Sequence, residues 1–176
     1  MGSSESKALL VFSYGSNMLT ARIQERCRSA RCVGIAELRG YELRWHKRSR
    51  KDGSAKCDVV ATQEEGARVY GVVYAIPLSE KPGLDEAEGL GVGYDEIQVS
   101  VVVDGGRTDA LCYTATDIDS RFKPYTWYVA LVVGGARQHG LPPDYVSQLA
   151  ATDAVQDRNR KRHDLHMAIL QESADQ

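Results

Sequence analysis

The sequence predicts an α+β fold built on a largely antiparallel β-sheet or a small barrel. Strand-like segments fill most of the chain up to residue 116, whereas the segments after Pro124 have the apolar spacing of helices. Strands followed by helices are typical of α+β proteins, because a parallel sheet requires the two to alternate. With 176 residues, 43% of them apolar, the chain is long enough for one domain with a sizeable core.

The first part of the chain predicts five strands and one short helix. Ala8–Ser13 is an apolar run that ends in the turn sequence Tyr14-Gly15-Ser16-Asn17. Either Asn17 or Thr20 can cap a short helix with one apolar face. That face consists of Leu19, Ile23 and Cys27. The other predicted strands are residues 31–38, 41–46, 58–62 and 69–76.

The middle of the chain predicts a second short helix and a long β-hairpin. Ser79 is a suitable N-cap for this helix, which ends at Glu88-Gly89. Tyr94–Val103 and residues 107–116 are strands on either side of Asp104-Gly105-Gly106, a turn sequence rich in glycine.

After Pro124 the pattern predicts helices. One helix ends near Gly140, and another begins at Leu141-Pro142-Pro143-Asp144. Residues 153–170 are polar with a weak apolar stripe, which consists of Leu165, Ile169 and Leu170. We therefore divide the chain into three parts: a disordered N-terminus (1–7), one domain (8–150), and a polar, partly helical C-terminal tail (151–176).

The composition excludes several classes of protein. The 22 Lys and Arg residues nearly balance the 24 Asp and Glu residues, giving a net charge of −2, so neither nucleic acid nor a membrane surface is expected as a partner. No apolar run is long enough to span a bilayer, and the first residues lack the layout of a signal peptide. The four cysteines include no C-x-x-C pair and no zinc spacing. We therefore expect a cytoplasmic protein with reduced cysteines and no metal or other cofactor.

Two short segments are candidates for a site. The turn Tyr14-Gly15-Ser16-Asn17 follows a buried strand and precedes a helix, which suits an anion bound to backbone N–H groups. Glu88 lies four residues after Leu84 and shares its helical face, so it lies at the edge of the core while Asp85 and Glu86 face water. A carboxylate against apolar surface can act as a base or an acid. The simpler alternatives are an ordinary turn and an exposed carboxylate at a helix end.

Two further segments have both a functional and a structural interpretation. Residues 44–51 contain five Lys or Arg residues, which suit RNA or an anionic substrate, but also suit a strand followed by a solvated loop. Tyr125, Trp127 and Tyr128 either wall a polar pocket or pack around the core.

Four segments in combination resemble the gamma-glutamylcyclotransferases. They are Tyr14-Gly15-Ser16-Asn17-Met18, Val69-Tyr70-Gly71-Val72-Val73-Tyr74, Leu84-Asp85-Glu86-Ala87-Glu88-Gly89 and Gly135-Ala136-Arg137-Gln138-His139-Gly140-Leu141-Pro142. The last segment resembles the corresponding segment of the family branch that acts on gamma-glutamyl amino acids. The resemblance covers about residues 8–150 and implies a small mixed, largely antiparallel barrel with peripheral helices and a pocket at its mouth.

The resemblance also implies residue roles. Glu88 corresponds to the general acid/base of the family. The substrate's glutamyl end would be held by the turn and bordered by two tyrosines. These residues are Tyr14, Gly15, Ser16, Asn17, Met18, Tyr94 and Tyr128.

The implied reaction releases 5-oxoproline from a small gamma-glutamyl substrate. The substrate's α-amine attacks its own γ-carbonyl while Glu88 moves the proton, so neither a protein nucleophile nor a cofactor is required. The alternatives are a cyclotransferase for gamma-glutamyl amines or a gamma-glutamyl-protected natural product, and a non-catalytic ligand- or RNA-binding module. Residues 44–51 are more charged than in the animal enzymes, which favours an acidic or larger leaving group. The sequence is compatible with a monomer or a homodimer.

Overall fold

Five strands close into a β-barrel in the computed structural model, which describes residues 7–174. The barrel order is β1-β5-β2-β6-β7, and all neighbours are antiparallel except β1 and β7, which close the barrel in parallel. The seven strands are β1 (Ala8–Ser13), β2 (Arg31–Arg39), β3 (Tyr41–Arg48), β4 (Ala55–Ala61), β5 (Arg68–Pro77), β6 (Tyr94–Val103) and β7 (Gly106–Ala115). The predicted α+β class with a mixed, largely antiparallel barrel is confirmed.

Strands β3 and β4 form a separate two-stranded sheet, which was not predicted. Strand β4 begins at Ala55 rather than at residue 58, and its Asp58 side chain accepts a hydrogen bond from Ala115 N–H of β7 at 2.8 Å. The strand predicted over residues 41–46 extends to Arg48, so two more residues of the basic segment 44–51 belong to β3 than expected. This small sheet therefore brings a row of cations against the barrel.

Five helices lie outside the barrel, confirming the predicted peripheral helices. They are α1 (Thr20–Gln24), α2 (Lys81–Glu88), α3 (Thr126–Gln138), α4 (Pro143–Ala150) and α5 (Arg160–Ala174). Two 3₁₀ turns, Ser16–Met18 and Leu78–Glu80, precede α1 and α2. Among the described residues, no helix has both the length and the apolar character needed to cross a membrane.

The predicted helix caps are wrong. Helix α1 begins after Leu19, and neither Asn17 nor Thr20 caps it through its side chain. Helix α2 begins after Glu80, because Ser79 lies inside the preceding 3₁₀ turn. The apolar face of α1 was predicted correctly, since all three of its residues are buried. Side-chain capping stabilises a helix by only about 1 kcal/mol, so tertiary contacts can override it.

Helix α3 fixes the turn that follows β1. Gly135 lies on the buried face of α3, and a Cβ atom at this position would lie 2.5 Å from Leu19 N and 2.7 Å from Met18 C. Only glycine permits so close an approach of a helix to another backbone segment. Met18 is itself fully buried, and its carbonyl accepts a hydrogen bond from the Tyr74 hydroxyl at 2.7 Å.

The C-terminal segment packs on the domain through Trp127 of α3. Its indole N–H donates to the buried carboxylate of Asp157 at 2.9 Å, and Arg162 binds the same carboxylate through two nitrogens. His166 stacks on the Trp127 ring with centroids 3.8 Å apart. Helix α5 starts at Arg160 rather than at residue 153, and Leu165 of the predicted apolar stripe is exposed.

Of the segment 1–7 that was predicted to be disordered, only Lys7 lies within the described residues. Its carbonyl accepts a hydrogen bond from Leu78 N–H at 3.0 Å. Residues 175 and 176 of the tail also lie outside the described part of the chain.

Candidate active site

A small cavity opens beside the end of β1. Its lining includes seven of the eight residues that the sequence analysis assigned to the site: Tyr14, Gly15, Ser16, Asn17, Glu88, Tyr94 and Tyr128. Met18 is the exception, because its side chain is buried in the core. The structure thus brings together residues from four separate parts of the sequence, and we call this space the small cavity.

Glu88 is held in the small cavity by a short chain of side chains. Asn17 Nδ2 donates to Glu88 Oε1 at 2.6 Å, and Arg26 Nη1 donates to Asn17 Oδ1 at 2.8 Å. The amide of Asn17 therefore has its oxygen toward the guanidinium and its nitrogen toward the carboxylate. Sequence reasoning missed Arg26, which lies in the turn after α1.

Helix α2 carries Glu88 to this position. Leu84 is 1% exposed and anchors the helix in the core, while Glu88, one turn later, is half-buried as predicted. Asp85 was predicted to face water, but it accepts hydrogen bonds from Lys81 Nζ at 2.8 Å and from the Tyr113 hydroxyl at 2.6 Å. The burial of Leu84 and the hydrogen bond from Tyr113 therefore fix the helix at two points within one turn of Glu88, whereas the Lys81 contact lies within the helix.

The turn after β1 offers backbone donors to the small cavity. Throughout the described chain, the N–H groups of Gly15, Ser16 and Asn17 donate to neither a carbonyl nor a side chain. A Cβ atom on Gly15 would lie 3.1 Å from the Tyr128 hydroxyl and 3.3 Å from Cys57 Cβ. Glycine therefore keeps this wall of the cavity open.

Two tyrosines of the cavity hold the same residue of β4. The Tyr94 hydroxyl donates to the Cys57 carbonyl at 2.7 Å, and Cys57 N–H donates to the Tyr128 hydroxyl at 3.1 Å. Burial raises the pKa of both phenols well above the usual value. Both tyrosines therefore act as neutral walls of the cavity, with hydroxyls engaged by the backbone.

Cys57 also lines the small cavity, but its thiol is poorly suited to act as a nucleophile. Burial raises the pKa of this thiol to about 12, so almost none of it is thiolate near neutral pH. All four cysteines are free. Over residues 7–174, no cluster of three or more His, Cys, Asp or Glu side chains is placed to hold a metal ion.

A second, larger cavity adjoins the first, and we call it the large cavity. The two cavities share Ser16, Glu88, Tyr94 and Tyr128. Residues 47–51 line the large cavity, so this part of the basic segment borders the site rather than forming only a solvated loop.

Lys56 is a cation of the large cavity that sequence reasoning missed. Its ammonium lies 4.4 Å from the Trp127 ring centroid and 4.7 Å from that of Tyr128, and it pairs with Asp52 at 2.8 Å. Burial lowers the pKa of Lys56 to about 8, although Asp52 opposes this effect. No local pattern in the sequence indicates that this strand residue faces a cavity.

Comparison with known proteins places this geometry in a family. The chain is 33% identical to gamma-glutamylcyclotransferase of Homo sapiens over 154 residues, which cover 85% of this chain and 81% of the human one. It is also 33% identical to the enzyme of Mus musculus over 153 residues, with the same coverage.

A family model and a solved structure agree with this relationship. The model of the AIG2-like family matches residues 68–149. A solved gamma-glutamyl cyclotransferase superimposes with a TM-score of 0.81 at 27% identity, covering 92% of this chain and 99% of that one. The chain therefore belongs to the gamma-glutamylcyclotransferase family of enzymes.

Proposed function

We propose that this enzyme releases 5-oxoproline and a free amino acid or amine from a gamma-glutamyl substrate, with Glu88 as the general acid/base. The observation that carries the proposal is the position of Glu88. Its carboxylate is oriented by Asn17 at 2.6 Å, and it lines the same small cavity as a turn with three free backbone N–H groups. A carboxylate and anion donors in one small cavity suit a substrate with both a carboxylate and an amine.

The turn after β1 would bind the α-carboxylate of the glutamyl group. Its free N–H donors are those of Gly15, Ser16 and Asn17, and such groups favour an anion. Binding the α-carboxylate there brings the neighbouring α-amine toward Glu88. The tyrosines that hold Cys57 form another wall of the cavity.

The reaction forms one C–N bond and breaks another within the substrate. The α-amine nitrogen attacks the γ-carbonyl carbon and transfers a proton to the Glu88 carboxylate. Glu88 then delivers this proton to the departing nitrogen as the γ-amide bond breaks, which leaves 5-oxoproline and a free amine. Well-oriented intramolecular attack has an effective molarity of about 10⁵–10⁸ M, so positioning supplies a large share of the rate.

The test of this role is Glu88→Gln, with Glu86→Gln as the matched control. Glu86 lies on the same helix but is exposed and lines neither cavity. Since both proton transfers pass through one group, we expect Glu88→Gln to lose about 10⁴-fold in kcat, at the top of the usual range for general acid–base catalysis. Glu86→Gln should retain wild-type activity. Retention of more than about a tenth of kcat by a folded Glu88→Gln variant would refute the assignment.

A second measurement separates cyclisation from hydrolysis. A substrate with an acetylated α-amine keeps the scissile amide but lacks the nucleophile, so it should not react. In ¹⁸O-labelled water the parent substrate should give unlabelled 5-oxoproline. Cleavage of the acetylated analogue at a comparable rate, with label in the acid product, would instead identify a gamma-glutamyl hydrolase.

A further inference from the structure

The large cavity has a strong excess of positive charge. Eight Lys or Arg side chains line it, and five carboxylates either line it or pair with these cations. The formal excess is therefore three positive charges, in a chain whose net charge is −2. Clefts lined by one sign of charge concentrate ligands of the opposite sign.

Half of these cations have no carboxylate at salt-bridge distance. Arg26, Lys47, Arg48 and Lys51 are without such a partner among the residues described. Lys47 lies beside the wall that the two cavities share, because its ammonium lies 4.8 Å from the ring centroid of Tyr94, a residue of both cavities. Unpaired cations around a cleft are free to bind an anion.

Buried polar side-chain atoms without a hydrogen-bond partner are concentrated around the large cavity. Four buried side-chain polar atoms lack a hydrogen-bond partner within residues 7–174, and three of them belong to residues of the large cavity. These three are Arg22 Nε, Arg26 Nε and His166 Nδ1. Buried polar groups are normally hydrogen-bonded, so this concentration indicates a ligand that completes the site.

The residues shared by the two cavities indicate which part of the substrate binds in the large cavity. Glu88 belongs to both, and in the proposed reaction the scissile amide lies next to Glu88. The glutamyl half of the substrate occupies the small cavity, so the leaving half extends into the large one. We propose that the large cavity selects a leaving amine that carries an additional carboxylate, as in gamma-glutamyl dipeptides of an acidic amino acid. This inference rests on the proposed function.

The decisive comparison uses gamma-glutamyl-glutamate and gamma-glutamyl-glutamine as substrates. They have nearly the same size and differ in one side-chain carboxylate, which the second replaces with a neutral amide. A hydrogen bond to a charged group contributes about 1.5–3 kcal/mol, so we expect kcat/KM to be at least about tenfold higher for gamma-glutamyl-glutamate. This preference should shrink as salt rises, because exposed cations are screened.

The double variant Lys47→Met/Arg48→Met tests whether the cavity causes the preference. Methionine keeps an unbranched apolar side chain beside the Tyr94 and Phe122 rings while removing the two charges that lie over them. The preference should fall at least about fivefold, mainly through a higher KM for the acidic substrate. The matched control Arg160→Met/Lys161→Met also removes two positive charges that are neighbours in sequence, but both side chains are exposed and lie outside the large cavity. This control should leave the preference for gamma-glutamyl-glutamate unchanged.

The outcomes separate this inference from the proposed function. If neither dipeptide nor gamma-glutamyl-alanine yields 5-oxoproline, the proposed function fails. If 5-oxoproline forms from both dipeptides with equal kcat/KM, the function stands and the inference is overturned. A preference that survives in Lys47→Met/Arg48→Met also overturns it, because another part of the molecule would then be responsible.

Discussion

The close contact between α3 and the turn after β1 predicts that alanine substitutions at two adjacent glycines have different effects. In Gly135→Ala the new methyl group would lie 2.5 Å from Leu19 N and 2.7 Å from Met18 C. Ordinary contacts between carbon atoms are about 3.5–4.0 Å, so the turn or the helix must move by about 1 Å. In Gly134→Ala the methyl group would instead meet the side-chain end of Leu170, which can rotate away.

The energetic consequences of the two substitutions differ in size. Replacing glycine by alanine within a helix is favourable by about 1 kcal/mol. Overpacking costs about 1–3 kcal/mol, and a clash with backbone belongs at the upper end of that range. We therefore expect Gly135→Ala to lose about 2 kcal/mol of unfolding free energy, equivalent to a Tm lower by about 4–8 °C. Gly134→Ala should be close to neutral.

Activity should follow the same order as stability. The turn carries Asn17, which orients Glu88, and a misplacement of about 1 Å in a catalytic site can cost about 10²-fold in rate. Urea unfolding and kcat/KM with a gamma-glutamyl dipeptide measure both effects. The reasoning fails if Gly135→Ala keeps wild-type stability and activity, or if Gly134→Ala is the more damaging of the two.

Two further predictions concern the tail and the cavity wall. Asp157→Asn should lower the unfolding free energy by about 2–3 kcal/mol, because the buried carboxylate accepts from Trp127 and Arg162. The Arg162 hydrogen bond lowers the pKa of the Asp157 carboxyl in the folded protein. The contribution of Asp157 to the unfolding free energy is therefore complete above its unfolded pKa of about 3.9 and declines as pH falls below that value. The difference between wild type and Asp157→Asn in urea unfolding should therefore shrink in acid, and a difference independent of pH would contradict this. Gly15→Val should raise KM at least about tenfold, because the added side chain would press on the Tyr128 hydroxyl and narrow the cavity. Circular dichroism must show that this variant folds; an unchanged KM would place the carboxylate site elsewhere.

The elements of the fold could be predicted from local pattern, but their arrangement could not. Strand β1 and the β6–β7 hairpin follow from apolar runs and a glycine-rich turn, and the structure has them within one residue of the predicted bounds. Strands β3 and β4 pair as a local hairpin, but contacts distant in sequence, such as the hydrogen bond from Ala115 N–H to Asp58, hold this hairpin against the barrel. No pattern within either strand specifies that contact.

The candidate site, like the fold, could be predicted from the sequence only in part. Glu88 was predicted to lie at the edge of the core because Leu84 precedes it by one helical turn, and its acid/base role was implied by the family resemblance. The turn after β1 was a candidate because of its sequence. The cap role suggested for Asn17 was wrong, because a polar residue before a helix resembles a cap. In the structure its amide bridges Arg26 and Glu88 instead. Two charged partners offer stronger hydrogen bonds than a helix end does, and only the folded chain brings them into reach.

The two cavities also differ in the elements that build them. The small cavity lies at the end of β1, and helix α2 holds Glu88 there by anchoring Leu84 in the core. The large cavity shares Glu88 of α2, Tyr94 of β6 and Tyr128 of α3 with the small one. Most of its other charged residues belong to the β3–β4 sheet, its turn, and helices α1 and α5, which lie outside the barrel. Substitutions of these residues can change the charge of the large cavity while the contact between Asn17 and Glu88 stays in place. If the proposed function holds, leaving-group preference can therefore vary independently of cyclisation, and the charge pattern of residues 47–51 bears more directly on the substrate than the shared barrel does.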